Sequence, residues 1–378
     1  MSNRLKIATV VGTRPEIIRL SSVIKLLDAH TELVLVHTGQ NYDYELNEVF
    51  FEDLGLRAPD HFLEADTSSL GTALGTIISG TEKVLQEEKP DAFLVLGDTN
   101  SCISALMAKR MKIPVFHMEA GNRSFDENVP EETNRRLVDH VSDYNLVYTE
   151  HARRNLLAEG IHSSRILLTG SPMREVLDDN AEQIDASDAL EKQGLTPQEY
   201  FLVSLHREEN VDKPERLQAA LDSLEALHEK YDVPVLVSTH PRTRKRLEAL
   251  GIYKKDGLNF HPPFGFHDYN KLQKEAKLVL SDSGTISEES SILNFPALTL
   301  RDFIERPESQ DTGAIIATGL RNKNVLDAVE ITLELFNSRK QSVLPADYAI
   351  KDTSSRVLAF IRSAAHSHHQ RTGIRNQN

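Results

Sequence analysis

The sequence has one cysteine, Cys102, and no tryptophan among its 378 residues. A single cysteine excludes an intramolecular disulfide and is typical of a reducing compartment, so the sequence predicts a cytoplasmic protein. No apolar run reaches the roughly 18 residues that a membrane-spanning helix requires. The N-terminal stretch MSNRLKIATVVG is too short in its apolar part for a signal peptide and resembles a first strand. These absences argue against a disulfide-stabilised scaffold and against a membrane-spanning protein.

An excess of positive charge is also missing, since the formal net charge is −14. That balance argues against a nucleic-acid partner and against an anionic membrane surface. The dinucleotide fingerprint GxGxxG is absent, so no NAD or FAD cofactor is expected. The tail histidines have no accompanying cysteine or carboxylate pattern, and no metal site is predicted from them. An anionic ligand would therefore need a local island of positive charge.

Short apolar runs alternate with longer helical patterns along the whole chain. The predicted strands of the first half are Lys6–Val11, Leu33–His37, Ala92–Gly97, Pro114–Met118, Asn145–Thr149 and Ile166–Thr169. Those of the second half are Tyr200–Leu205, Val233–Thr239, Leu258–His261, Lys277–Ser281 and Ala297–Leu300. Continuous apolar strands separated by helices indicate parallel sheets covered on both faces. The sequence thus predicts an α/β protein with two Rossmann-like, doubly wound domains.

The pattern breaks near Gly170–Pro172, which predicts a first domain at residues 1–170 and a second at 171–354. Residues 355–378 would form a last helix and a polar, frayed tail that pack back on the first domain. In such sheets, ligands bind beyond the carboxyl ends of the strands. With two domains facing each other, we expect the site in the cleft between them.

The segment VVGTRPEIIRL, residues 10–20, places Gly12 at a strand-to-helix turn and Pro15 at the first helical position. Arg14 would then lie beside a helix N-terminus, which is a natural anion site. The alternative is an ordinary helix start with a solvent-exposed arginine.

The segment LSDSGTISEESS, residues 280–291, follows a strand with Asp282 and Ser283. Gly284 would allow close approach of a ligand, and the free N–H groups of the next helix could bind a diphosphate. Glu288 and Glu289 in its first turn would repel phosphate, so one of them is expected to face ribose hydroxyls. An ordinary capped helix remains the alternative.

Two further strand ends are ambiguous when they are considered alone. LRDFIERPES supplies Arg301 and Arg306, which could bind an anion or form a surface salt-bridge loop. SLHREEN places His206 at a strand end, where a lone histidine is more often structural than functional.

Carboxylates gather after two strands that should be central in the first sheet. Asp98 follows LVLG, Glu119 follows FHM, and Glu131 and Glu132 begin the helix after Pro130. Each acid alone could cap a helix or start one. Several carboxylates close together raise one another's pKa values and form acid–base pairs. We therefore interpret the group as a catalytic layout.

Together these motifs resemble the non-hydrolysing UDP-N-acetylglucosamine 2-epimerase family. The matching stretches are GTRPE, GDT, EAG, PEETNR, HREE, DSGTISEE and RDFIERPE, spread through nearly the whole chain. The resemblance implies the two-domain GT-B fold, a UDP-2-acetamido sugar as ligand, no cofactor, and usually a homodimer. It places the family's catalytic groups on Asp98, Glu119, Glu131 and His206. Its substrate contacts would fall on Arg14, Arg19, Tyr269, Ser283, Gly284, Thr285, Glu289 and Arg306.

Two departures bear on the substrate. The family commonly has lysine where Arg19 stands, and often a longer loop where this chain has NRSFDENVPEE. That shorter loop, with HTGQNYDYELNEVFF at residues 37–51, resembles the capsule and O-antigen branch. The branch converts UDP-2-acetamido-2,6-dideoxy-L-talose to UDP-N-acetyl-L-fucosamine. UDP-N-acetylglucosamine is the alternative substrate, and a GT-B glycosyltransferase or a non-catalytic UDP-sugar sensor are alternatives of other classes.

Overall fold

The computed structural model describes residues 4–40, 50–127, 129–302, 304–339 and 341–374. The chain divides into two compact units. The first comprises the residues up to Asp179 together with those from Ile350 onward, and the second is Asn180–Ala349.

The first unit contains a sheet of seven parallel strands among its described residues, in the order β3-β2-β1-β4-β5-β6-β7. The strands are β1 Lys6–Val11, β2 Glu32–His37, β3 His61–Phe62, β4 Ala92–Leu96, β5 Val115–Met118, β6 Tyr144–Val147 and β7 Ile166–Leu168. Its helices before the second unit include α1 Arg14–His30, α2 Leu70–Glu88, α3 Ala105–Arg110, α4 Pro130–Val141, α5 Glu150–Ala158 and α6 Met173–Asp179. Short 3₁₀ turns at Asn100–Ser104 and Ser163–Arg165 join them.

The second unit contains a sheet of six parallel strands among its described residues, in the order β10-β9-β8-β11-β12-β13. They are β8 Phe201–Leu205, β9 Val235–Thr239, β10 Leu258–His261, β11 Leu278–Ser281, β12 Ala297–Thr299 and β13 Ile316–Ala317. Its helices are α7 Ala181–Ala186, α8 Ala189–Gln193, α9 Glu208–Val211, α10 Pro214–Tyr231, α11 Pro241–Ala249, α12 Phe266–Glu275, α13 Ile286–Leu293, α14 Pro307–Asp311 and α15 Asn322–Arg339. A 3₁₀ turn at Ala346–Ala349 ends the unit.

Apolar burial on both faces explains why each sheet is parallel. Strand β4 is buried along its whole length, and β1 is buried from its second residue onward. Tyr200, Phe201 and Phe295 are among the largest fully buried side chains of the second unit. The predicted fold class, two α/β domains with parallel sheets, is confirmed.

The observed boundaries differ from the predicted ones at both crossings between the units. The first unit runs nine residues beyond the predicted boundary at residue 170, because α6 packs on α1 and Ser22 Oγ donates a hydrogen bond to Asp179 at 2.7 Å. The chain returns to this unit at Ile350. The last long helix, α16 at Thr353–Ala365, contacts α1, and Thr353 Oγ1 donates to the carbonyl oxygen of Thr169 at 3.1 Å.

Local signals were weakest for the shortest elements. Strands β3 and β13 have two residues each, too few for a periodic pattern, and neither was predicted. The tail that was expected to be frayed contains a short helix, α17, at His368–Thr372. Its first residue, His368, is buried with Nδ1 3.3 Å from the Tyr144 hydroxyl, which holds the segment in place. Among the described residues, no helix is both long and apolar enough to cross a bilayer.

Candidate active site

The acids of the first unit follow two adjacent strands. Strand β4 lies between β1 and β5, so the turns after these three strands share one edge of the sheet. Those turns carry Gly12, Asp98 and Glu119. The Gly12 position requires glycine, since a Cβ there would lie 2.1 Å from Thr38 Oγ1. The sheet therefore brings together the residues that the sequence predicted after these strands.

Glu119 has a backbone conformation that is unusual for its residue type. Its φ is +63°, in the left-handed region, which costs a non-glycine residue roughly 1–2 kcal/mol. Its carboxylate forms an ion pair with Arg19 of α1 and accepts a hydrogen bond from Asn122 Nδ2 at 3.3 Å. Strained residues of this kind concentrate at functional sites, because the surrounding structure must hold them there.

Asp98 is held by the helix that follows the Glu119 loop. Arg135 of α4 contacts the Asp98 carboxylate through Nε at 2.7 Å and Nη2 at 2.6 Å. Asn134 Nδ2 donates to the Asp98 carbonyl oxygen at 2.8 Å. Sequence reasoning did not assign these partners, although PEETNR was one of the motifs that it used. The sequence feature that could have identified them is their spacing, because Asn134 and Arg135 lie about one helical turn after Glu131.

The two adjacent acids at the start of α4 have different surroundings. Glu132 is buried and accepts hydrogen bonds from Ser124 N at 3.0 Å and Arg136 Nε at 3.1 Å. Burial alone would raise the pKa of the Glu132 carboxyl, but these donors and Arg135 lower it below its usual value. Glu131 is only half-buried, and it shares a helix face with Asn134 and Arg135. Glu132 therefore holds the loop and also accepts from Arg135 Nη1 at 3.3 Å, whereas Glu131 is the less buried acid on the face that contacts Asp98.

A buried polar network supports the ends of β4 and β5. His117 Nδ1 lies 2.9 Å from Asp139 Oδ1, and its Nε2 lies 2.7 Å from the carbonyl oxygen of Gly97. Asp139 also accepts from Gly121 N at 3.1 Å and pairs with Arg123 at 2.8 Å. Sequence reasoning missed this network, because a histidine inside an apolar strand gives no signal of its distant partners.

Glu16 of the GTRPE motif is buried beside the same edge, and its contacts were also missed. One oxygen accepts from Gly12 N and Thr13 N, each at 2.8 Å. The other accepts from Thr99 Oγ1 at 2.9 Å and from Ser101 Oγ. Burial raises the pKa of the Glu16 carboxyl above its usual value, although these hydrogen bonds oppose the shift.

Helix α1 begins at Arg14, one residue before the predicted first helical position at Pro15. The Arg14 guanidinium lies 5.4 Å from the centre of the Phe50 ring, within cation–π range. Phe50 belongs to the stretch HTGQNYDYELNEVFF, of which residues 41–49 lie outside the described residues. Asn128 of the NRSFDENVPEE loop and Phe303 of LRDFIERPES lie outside them as well.

The second unit pairs His206 with a buried acid. His206 Nδ1 lies 3.0 Å from Asp282 Oδ1, and the backbone N–H groups of His206 and Arg207 also donate to this carboxylate at 3.0–3.1 Å. Burial alone would raise the pKa of Asp282, but His206, Arg207 N and Asn210 Nδ2 lower it to about 2. Asp282 thus fixes the ring, and His206 Nε2 is the nitrogen on the side away from it.

The predicted diphosphate site begins in the turn before α13. Ser283 Oγ lies 2.9 Å from Thr285 Oγ1, and Thr285 is the N-cap of the helix. A Cβ at Gly284 would be 3.6 Å from the side chains of Arg207 and Glu305, so glycine leaves that space open. Ser283, Gly284 and Arg306 line one pocket of this unit with Arg301.

The two acids of α13 face different partners. Glu288 is buried and forms an ion pair with Arg306 Nη2 at 3.2 Å. Glu289, which the family resemblance places among the substrate contacts, accepts a hydrogen bond from Gln273 Nε2 at 2.7 Å. Burial and the nearby Glu289 raise the pKa of the Tyr269 phenol above its usual value. The structure thus brings Tyr269 and Glu289 together.

The chemistry of the donor groups differs between the two units. Carboxylates paired with arginines dominate the strand ends of the first unit, whereas a histidine, hydroxyls and a helix N-terminus dominate those of the second. Over the parts of the chain that the structure describes, no group of three or more His, Cys, Asp and Glu side chains could hold a metal ion.

Comparison with known proteins shows which family the chain resembles. The sequence matches the UDP-N-acetylglucosamine 2-epimerase family over residues 25–362. A UDP-N-acetylglucosamine 2-epimerase of Methanocaldococcus jannaschii is 40% identical over 87% of this chain and 92% of its own length. A crystal structure of the UDP-GlcNAc 2-epimerase from that organism in complex with UDP-GlcNAc and UDP matches with a TM-score of 0.88 and 36% identity, over 95% of this chain and 100% of that one.

Two further relatives extend the comparison. The structure of a UDP-N-acetylglucosamine 2-epimerase from Rickettsia bellii has a TM-score of 0.91 and 49% identity, over 97% of this chain and 98% of that one. A UDP-2,3-diacetamido-2,3-dideoxy-D-glucuronate 2-epimerase of Pseudomonas aeruginosa is 35% identical over 92% of this chain and all of its own length. The chain belongs to the UDP-N-acetylglucosamine 2-epimerase family, and it is an isomerase of the UDP-sugar 2-epimerase class.

Proposed function

We propose that the protein inverts carbon 2 of a UDP-2-acetamido sugar by elimination and re-addition of UDP. The observation that carries the proposal is the strained Glu119, whose carboxylate is paired with Arg19 beside the Asp98 turn. A carboxylate whose backbone is held in a strained conformation is expected where it must approach a substrate atom from a fixed direction.

Carbon 2 of a UDP-2-acetamido sugar is not adjacent to a carbonyl group, so its proton is only weakly acidic. In the proposed reaction, the bond from carbon 1 to the UDP oxygen breaks, and UDP leaves with the bonding electrons. A carboxylate accepts the carbon 2 proton, and the electrons of that C–H bond form a double bond between carbons 1 and 2. Protonation of carbon 2 from the other face and return of UDP complete the inversion.

The first unit would supply the proton transfers. Two faces of carbon 2 require at least two acid–base groups, and each typically contributes about 10² to 10⁴ in rate. Asp98, Glu119 and Glu131 are the candidates. Arg135 and Arg19 would keep the Asp98 and Glu119 carboxylates oriented, and the acids would also stabilise positive charge that develops at carbon 1.

The second unit would hold UDP. Ser283, Gly284 and Thr285 at the start of α13 offer hydroxyl and backbone donors to a diphosphate. Arg306 would add charge, and Tyr269 and Glu289 would contact the nucleoside. His206, oriented by Asp282, would present Nε2 to the departing diphosphate. In the first unit, Arg14 and Arg19 would complete the set of substrate contacts.

Incubation with a single UDP-2-acetamido sugar in D₂O tests the reaction. We expect deuterium at carbon 2 of both epimers, without an acceptor, without added NAD and in the presence of EDTA. A strict requirement for NAD, or loss of activity with EDTA, would refute the mechanism. Transfer of the sugar to an acceptor without exchange at carbon 2 would point to a glycosyltransferase instead.

For the substrate itself, we propose UDP-2-acetamido-2,6-dideoxy-L-talose, which would yield UDP-N-acetyl-L-fucosamine for capsule or O-antigen assembly. The short NRSFDENVPEE loop supports this choice. UDP-N-acetylglucosamine is the second candidate, because two of the relatives are named for it. Comparison of kcat/KM for the two compounds decides between them, and a clear preference for the glucosamine compound would refute our choice.

We also propose that the protein is a homodimer, which rests on the family resemblance. Light scattering coupled to size-exclusion chromatography should give a mass of twice 42.5 kDa. A monomer mass that persists across the concentrations used for the activity assay would contradict this part.

A further inference from the structure

Glu16 accepts more hydrogen bonds than its place in the helix requires. It is 1% exposed and accepts from Gly12 N, Thr13 N, Thr13 Oγ1, Thr99 Oγ1 and Ser101 Oγ. In a capping box, the acid at this position only has to reach back to the N-cap backbone N–H. Here one oxygen, Oε2, performs that role, and the other oxygen, Oε1, contacts a different turn.

The two turns that Glu16 joins carry predicted site residues. Gly12–Thr13 follows β1 and leads directly to Arg14, while Thr99 follows β4 and is bonded to Asp98 along the chain. Arg19 is three residues beyond Glu16, on the same face of α1, and pairs with Glu119. A single buried side chain thus lies between the turn of Asp98 and the helix of Arg14 and Arg19.

We propose that Glu16 is a positioning residue that sets the spacing between the Asp98 turn and the helix that orients Glu119 through Arg19. The inference rests on the proposed function, since it assigns these acids to proton transfer. Misplacement of a catalytic group by about 1 Å can lower a rate by about 10². Glu16 would therefore affect turnover without contact to the substrate.

The bridge can be removed while the capping box stays. The double variant Thr99→Val, Ser101→Ala deletes both donors to Oε1 and leaves those to Oε2 in place. We expect kcat per folded molecule to fall by roughly 10- to 100-fold, with UDP affinity within about threefold of wild type, because UDP is assigned to the other unit. If this variant does not fold, the single variant Thr99→Val tests the same bridge, and we expect a smaller fall in its kcat.

A matched control separates positioning from helix capping. Ser69 is the N-cap of α2, and its side chain accepts from Thr72 N at 3.1 Å. Ser69→Ala should lower the melting temperature and leave kcat at the wild-type value. Wild-type kcat in the Thr99→Val, Ser101→Ala variant would overturn the inference.

The conservative variant Glu16→Gln separates positioning from proton transfer. Its amide oxygen can accept from the N–H groups of Gly12 and Thr13, while its NH₂ group donates to the two hydroxyls. We expect Glu16→Gln to keep kcat within about threefold and Glu16→Ala to lose it as the double variant does. A 100-fold loss in Glu16→Gln would overturn positioning, since this variant keeps the size of the side chain and its hydrogen-bonded link between the two turns.

The proposed function and this inference fail in different ways. If the wild-type protein places no deuterium at carbon 2 of any UDP-2-acetamido sugar, the proposed function is wrong. If the wild type exchanges and the bridge variants exchange equally fast, only the role of Glu16 is wrong.

Discussion

Each unit has a pair of oppositely charged or hydrogen-bonded side chains at the carboxyl ends of its strands, and the two units differ in which partner is exposed. In the first unit, the Asp98 side chain is 22% exposed and its partner Arg135 only 5%. In the second, the His206 side chain is 34% exposed and its partner Asp282 is fully buried. The same architecture therefore exposes a carboxylate held by a buried arginine in the first unit, and a histidine held by a buried carboxylate in the second. The fold class alone does not decide which chemistry a strand end presents.

The largest expected effect contrasts two neighbouring acids of the first unit. Glu131→Gln should lower kcat by 10² or more, because it removes a titrating proton on the face that contacts Asp98. Glu132→Gln should instead lower the melting temperature, because Glu132 accepts hydrogen bonds from Ser124 and Arg136 in the interior. Turnover numbers per folded molecule and thermal melts of both variants provide the measurement. Equal losses of kcat in the two variants would show that both acids have a structural role and that Glu131 does not transfer a proton.

The next effect tests the cation of the second unit. Arg306→Ala should weaken UDP binding by roughly 10- to 100-fold, since a charge-assisted contact in a desolvated site is worth about 1.5–3 kcal/mol. Titration calorimetry with UDP measures the loss. Arg174→Ala, which removes the same charge from α6 of the first unit, is the control and should bind UDP as the wild type does.

Arg306 also pairs with the buried Glu288, so the loss of affinity could come from a stranded carboxylate. The double variant Arg306→Ala, Glu288→Gln removes that charge. If it recovers wild-type affinity for UDP, Arg306 does not contact the ligand and leaves the proposed set.

A smaller effect should follow from Asp282, which acts through His206. Asp282→Asn keeps an oxygen for His206 Nδ1 but loses the charge that orients the ring, so kcat should fall by roughly 10-fold or more. In a His206→Gln background the same change should cost nothing further, because the two residues act as a unit. Additive losses would separate Asp282 from His206.

The smallest effect is the dependence of stability on pH. The pKa of Asp282 is lowered from 3.8 to about 2 in the folded protein, which corresponds to about 2 kcal/mol. Because the folded pKa is depressed, this stabilisation is present above pH 3.8 and is lost as the pH falls through about 2. The difference in unfolding free energy between wild type and Asp282→Asn should therefore shrink as the pH falls from 5 to 2. A difference that stays constant would contradict the assigned shift.

Much of this architecture could be predicted from the sequence, because strand ends and turn residues are local signals. Gly12 and Pro15 indicate a strand-to-helix turn, and the apolar runs around them indicate a parallel sheet. The same reasoning located Asp98 and Glu119 at one edge. The roles of the predicted site residues stay predictions until the variants are measured.

The partners of those residues could not be predicted, because they come from distant parts of the chain. Arg19 and Glu119 are 100 residues apart, and His206 and Asp282 are 76 apart. Nothing in the local sequence distinguishes Glu131 from Glu132, although Glu132 is buried in the structure and Glu131 is only half-buried. The boundary at Asp179 depends on the packing of α6 against α1, which the composition near Gly170 does not reveal.

The most direct test of the division between the two units is deuterium exchange at carbon 2 by Glu119→Gln, with UDP affinity measured on the same preparation. The substitution keeps the size of the side chain and removes the titrating proton. We predict that exchange falls by roughly 10² or more while UDP affinity stays within a few-fold of wild type. Exchange at the wild-type rate would contradict the central claim that the acids of the first unit transfer the carbon 2 proton.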